Sequence, residues 1–124
     1  MDIVIKRVYD QPDDADGLRV LVDRLWPRGV TKQKAQVDVW LKDVTPSPEL
    51  RSWWGHNPDT YPQFTASYRE ELAKAPASAG LEELVKLARQ QEAENQRLTL
   101  LYGAKDPQVN HAVVLLQVLH EALK

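Results

Sequence analysis

Cysteine is missing altogether from the 124 residues. That absence excludes disulfides, thiolate metal sites and a cysteine nucleophile. Long hydrophobic runs are missing too: no stretch approaches the ~20 apolar residues needed to span a bilayer. The opening Met1-Asp2-Ile3-Val4-Ile5-Lys6-Arg7 has neither the apolar centre nor the small-residue cleavage site of a signal peptide. The expected compartment is therefore the cytoplasm, with no membrane partner. There is no surplus of positive charge either. Sixteen Lys and Arg stand against 18 Asp and Glu, a net charge of −2, so no global field draws the chain to nucleic acid.

Several chemical signatures are also lacking. No P-loop, GxGxxG, HExxH or GxSxG pattern occurs. The three histidines, His56, His111 and His120, do not have metal-ligand spacing, and the last two lie nine residues apart. Neither a metal nor any other cofactor is expected.

What is present fits one α/β domain over residues 1–124, a small, mostly parallel sheet flanked by helices. Ile3 to Val8 alternates as a strand, and Arg19 to Asp23 forms a second that Pro27 and Gly29 stop. Thr31 caps a short helix through about Gln36, and Val37 to Leu41 is either a short strand or irregular. Ser47-Pro48-Glu49 supplies a hydroxyl cap, a proline at the first helical position and an acid facing the dipole, and Gly55 ends that helix after Trp54. Asp59 is expected to cap the next helix, which carries Tyr61, Phe64, Tyr68 and Leu72 at helical spacing. Pro76 and Gly80 are expected to break the chain before a third helix.

Leu98-Thr99-Leu100-Leu101-Tyr102 is a continuous apolar run, the pattern of a strand covered on both faces. Beyond it Asp106 and Pro107 are expected to open a last helix, which runs to about Leu123.

Ligands of open α/β sheets bind beyond the carboxyl ends of the strands. Two segments take that position. Asp23-Arg24-Leu25-Trp26-Pro27-Arg28-Gly29 sets a carboxylate, two guanidinium forks and an indole on a rigid turn. Arg matches phosphate or carboxylate in bidentate fashion; an ion pair from Asp23 to Arg24 or Arg28 that pins the loop is the plain alternative. Gly103 to His111 places a helix start beside Lys105, Asn110 and His111. Asp23 and His111 are the candidates for moving a proton. Arg24, Trp26, Arg28, Lys105 and Asn110 are the candidates for holding a ligand. Trp53, His56 and Arg7 join them with weaker grounds, since an exposed His and a snorkelling Arg are common.

Arg7-Val8-Tyr9, Asp16 to Gly29, Trp40-Leu41-Lys42, Ser47 to Arg51, Gly55-His56, Leu100 to Asp106 and Asn110-His111-Ala112 together resemble the YeaO-like branch of domain-of-unknown-function family 488. The resemblance covers essentially the whole chain and implies a compact bacterial α/β domain with no assigned activity. Other branches of that family carry Cys-His-Arg where this chain has Asn110-His111-Ala112, so only His111 carries over. Mechanisms that need that thiol or guanidinium are closed to this chain.

Two functions follow as expectations. One is a pocket, binding or catalytic, for a small anionic ligand, phosphorylated or nucleotide-like. The other is a non-catalytic module that binds a protein or nucleic acid through an aromatic and basic rim. The sequence patterns leave oligomeric state and reaction open.

Overall fold

Successive side chains of a strand point to opposite faces of its sheet, and that alternation divides this molecule into two unequal layers. The computed structural model describes residues 2–124. In β2 (Leu18–Leu21) and β4 (Leu98–Tyr102), Val20, Leu98, Leu100 and Tyr102 belong to the larger core, which Val22 also joins. Leu21 and Leu101 face the other way and pack with Val8 and Ala35. β4 is buried at every position because it lies inside the sheet. β1 (Ile3–Arg7) flanks it on one side and β2 on the other, with β3 (Val39–Trp40) beyond β2. The order is β1-β4-β2-β3, and all pairings are parallel. The register sets Arg7 opposite Tyr102, and Leu21 opposite both Leu101 and Trp40. The loops that leave β1, β2 and β4 consequently open on one edge.

Helices α2 (Pro48–Trp54), α3 (Tyr61–Leu72), α4 (Ala77–Ala93) and α5 (His111–Ala122) cover the larger core, while α1 (Lys32–Ala35) covers the other face. Trp54 stacks on Phe64 with centroids 4.0 Å apart, and Phe64 continues to Tyr68. Each fully buried large apolar side chain of this kind contributes about 1.5–3 kcal/mol. The caps of α1 and α2 are those their sequences announce: Thr31 accepts from the Lys34 N–H, Ser47 from the Leu50 N–H, and Gly55 takes a left-handed φ of 55°.

Four boundaries differ from the sequence expectation. β2 ends at Leu21, so Asp23 belongs to the loop. Asn57, not Asp59, does the capping before α3: it accepts from the Asp59 N–H and opens a 3-10 turn, Pro58–Thr60, ahead of Tyr61. Gly80 lies inside α4 instead of before it. A Cβ there would come within 2.9 Å of Val44 Cγ1, so this glycine serves close packing against the loop rather than a break. The last helix starts at His111 and not at Pro107. Asp106 Oδ1 is taken by the Gln108 and Val109 N–H groups in a turn, and Asn110 caps the helix by accepting from the Val113 N–H.

At the opposite edge of the sheet Gly17 holds a φ of 65°, and a Cβ there would lie 1.9 Å from the Arg97 carbonyl oxygen. Only glycine lets this loop approach the start of β4. No helix of the described residues is long and apolar enough to cross a membrane.

Candidate functional site

A cavity of about 280 Å³ opens where the loops after β2 and β4 meet. The β2 loop supplies Asp23, Arg24, Leu25 and Trp26; the turn into β4's following loop supplies Gly103. Thr45, Arg51 and His56 close it from the α2 side, and His111 enters from the first residue of α5. The parallel register therefore joins the two segments that the sequence placed at this edge, and a hydrogen bond ties them: the Gly103 N–H donates to Asp23 Oδ2 at 2.8 Å.

His111 sits beside that clasp. Its Nε2 lies 2.7 Å from the Val22 carbonyl oxygen and 3.3 Å from Asp23 Oδ1. A carbonyl only accepts, so Nε2 carries the ring proton and the neutral ring keeps Nδ1 as an acceptor. Asp23 Oδ1 is buried and has no hydrogen-bond partner among the described residues. Burial pushes the Asp23 carboxyl above its ordinary value, against the pull of His111 and the Gly103 N–H. Burial pushes His111 below the ordinary imidazole value, against the pull of Asp23. Both shifts favour the neutral forms of the two groups. Asp23 pairs with neither Arg24 nor Arg28 among the described residues.

The walls are held from behind. The Trp40 indole N–H donates to the Asp23 backbone carbonyl at 2.7 Å, and the Trp26 indole N–H donates to Val30 at 2.7 Å. The two indoles meet edge to face, 5.5 Å between centroids. Arg7 Nε donates to the Ala104 carbonyl at 2.8 Å while its guanidinium lies 5.0 Å from the Tyr9 ring centre. Tyr9, another wall residue, donates its hydroxyl to the Arg28 carbonyl at 3.1 Å.

Of the residues named from sequence, Asp23, Arg24, Trp26, His56 and His111 line this cavity, and Arg7 braces its Ala104 wall. Arg28 is exposed and contributes its backbone carbonyl to Tyr9 instead of a guanidinium to the cavity. Lys105 borders a neighbouring hollow shared with His56 and Ala104. Asn110 is buried at 0% exposure, with its amide committed to Asp106 and Val113. Trp53 points away at 58% exposure, whereas Trp54 is core and lies 4.9 Å from the His56 ring.

Tyr9, Thr45, Pro46 and Arg51 also line the cavity and escaped the sequence reading. Arg51 looks like an ordinary outward arginine in the last turn of α2, yet its charge reaches both Asp23 and His111. Its place five residues before His56 was the available signal. Thr45 precedes the Ser47 cap and has no motif around it; it is buried, and its hydroxyl donates to the Lys42 carbonyl at 2.7 Å.

The model of the family described as the inactive DUF488-N3 subclade matches residues 2–124. The chain is 45% identical over 115 residues to the uncharacterised protein YeaO of Escherichia coli K12, across 93% of this chain and 94% of that one. It is 41% identical over 116 residues to the uncharacterised protein Rv3073c of Mycobacterium tuberculosis H37Rv, across 94% and 92% of the two chains. No solved structure matches it.

Proposed function

This chain belongs to the inactive DUF488-N3 subclade, and on that premise we propose that it is a binding domain for a small anionic ligand, phosphorylated or nucleotide-like, held at the carboxyl edge of the sheet. One observation carries the reading. Arg24 and Arg51 border one cavity, and neither has a carboxylate partner among the described residues. Guanidinium groups left unpaired beside a half-buried indole, Trp26, form a place for an anion attached to a ring. A cytoplasmic setting belongs to the same reading.

Binding is favoured over turnover by the state of His111. Its Nε2 proton is given to a backbone carbonyl, and burial keeps the ring neutral. The description of the subclade as inactive points the same way. A second reading, an interaction module, draws on exposed apolar side chains near the site: Leu25 at the cavity is 69% exposed and Trp53 is 58% exposed.

Calorimetric titration with inorganic phosphate, ribose 5-phosphate and adenosine monophosphate separates the two. Charge-assisted hydrogen bonds are worth about 1.5–3 kcal/mol, so Arg51→Ala and Arg24→Ala are each expected to weaken binding roughly tenfold or more. Arg28→Ala, outside the cavity, leaves it unchanged, and affinity falls as salt rises. Equal affinity in the parent and in the Arg24→Ala/Arg51→Ala protein rejects the anion pocket. Binding of a macromolecule with no response to any of these anions supports the second reading.

A further inference from the structure

The polar groups of the cavity are sorted by kind. Among the side chains that border it, the donors other than the two guanidinium groups and the exposed His56 ring are already engaged within the protein. The Gly103 N–H is on Asp23, His111 Nε2–H is on Val22, and the Thr45 hydroxyl is on Lys42. The Trp26 indole N–H is on Val30. What these residues have left is acceptor capacity: the remaining lone pairs of the Asp23 carboxylate and Thr45 Oγ1, and Nδ1 of His111. The Asp23 side chain is 21% exposed while its Oδ1 is buried, so its open side is the Oδ2 side. Thr45 is buried at 4% exposure and His111 largely so, whereas Arg24 and Arg51 are exposed. The cavity thus has an acceptor floor and a cationic mouth.

We infer that the ligand is an anion carrying hydrogen-bond donors of its own, hydroxyl or ammonium, at the end away from its anionic group. Arg24 and Arg51 hold the anion at the mouth, and the floor around Asp23 and Thr45 receives the donors. This rests on the anion-binding reading above and narrows it. An anion whose other end is apolar strips water from a carboxylate and gives nothing back, and an unpaired buried acceptor is costly. An anion whose other end is itself an acceptor meets like charge. A ligand donor replaces the lost water and complements the carboxylate.

The test uses three phosphate monoesters that differ only at the far carbon: ethyl phosphate, hydroxyethyl phosphate and aminoethyl phosphate. Titrated into the parent protein, the hydroxyl and ammonium esters are expected to bind about tenfold more tightly than ethyl phosphate, one charge-assisted hydrogen bond being of that size. A lead of the ammonium ester over the hydroxyl ester identifies the donor as cationic; the reverse order identifies it as neutral. In Asp23→Asn the amide oxygen keeps the Gly103 N–H on the open side, so the floor keeps an acceptor but loses its charge and with it the charge-assisted part of the hydrogen bond. The advantage of the donor-bearing esters over ethyl phosphate is then reduced, most of all for the ammonium ester. Thr45→Val, nearly isosteric, reduces the same advantage and serves as the second variant.

Equal binding of all three esters by the parent overturns the inference and leaves the anion pocket standing. An advantage undiminished in both Asp23→Asn and Thr45→Val overturns it as well. Failure of every ester to bind, with inorganic phosphate also silent, rejects the anion pocket and this inference together.

Discussion

Two carboxylates flank β2, Asp16 before it and Asp23 after it, and the chain treats them in opposite ways. Asp16 is 5% exposed and fully answered. The Lys6 ammonium meets it at 3.1 Å, the Arg19 guanidinium pairs with it, and it accepts from the Asp13 N–H at 3.0 Å. Burial alone raises its carboxyl, but the Asp13 N–H, Lys6 and Arg19 together hold it below the ordinary value. Asp23 is more open, yet it has one N–H, a neutral imidazole and an oxygen with no partner. Its carboxyl is pushed up. A buried charge that the fold needs is closed off by its own side chains; one left incompletely answered in a cavity is available to something else. The difference lies in partners: an N–H, an ammonium and a guanidinium answer Asp16, and one N–H and a neutral imidazole answer Asp23.

The largest effect expected from breaking this contrast comes at Asp16. Asp16→Asn leaves Arg19, itself 3% exposed, as a buried charge without its carboxylate. Losing one partner of such a pair costs about 3–5 kcal/mol, to be read as a lower urea midpoint. Arg19 still donates to the Ala35 and Gln36 carbonyls, which keeps the loss toward the lower end of that range. Asp23→Asn is expected to do the reverse. The signs follow from linkage. Asp16 contributes stability that is present above its unfolded value of 3.8 and disappears as pH falls through its lower folded value. The contribution of Asp23 is fully present below 3.8 and disappears as pH rises through its raised folded value. At neutral pH the amide therefore matches or exceeds the parent by up to about 1 kcal/mol, in the same urea assay.

The smallest effect is one of slope. The folded His111 value lies below 6.5, so the unfolded chain takes up a proton first as pH falls. Stability from the neutral ring is present above 6.5 and declines as pH drops through the lower folded value. His111→Gln is expected to flatten the urea midpoint between pH 7 and the folded value. A parent-like decline in that variant assigns the slope to another group.

Much of this contrast could be read in the chain, but only on one side. The Leu98–Tyr102 run gave away the central parallel strand, because a strand covered on both faces has no polar alternation to hide. Parallel strands send their following loops to one edge, so the sequence already sets the Asp23 and His111 segments side by side. Asp16 and Arg19 were not legible in this way. Their burial depends on Gly17 folding the loop against Arg97 and on α1 offering two carbonyls to the guanidinium, contacts with no local pattern. The start of α5 was misjudged for a related reason. Asp-Pro and Asn are both good openings, and the choice between them fell to Asp106 closing a turn on Gln108 and Val109. Arg51 stayed hidden because most of the cavity it faces is made by residues more than twenty positions away, such as Asp23 and Gly103.

The strand order also governs when the protein can exist at all. β1 and β2 never pair with each other; both pair with β4, and β2 meets β3 over only two residues. A ribosome that has delivered everything up to Leu98 has made three strands and almost no ladder to hold them. Long-range pairing of this kind is slow, and edges left waiting are exposed to other chains. The sheet, and with it the edge that carries Asp23 and His111, assembles only once β4 has been made. A nascent chain stalled before that point has all of α2 to α4 and nothing for them to cover.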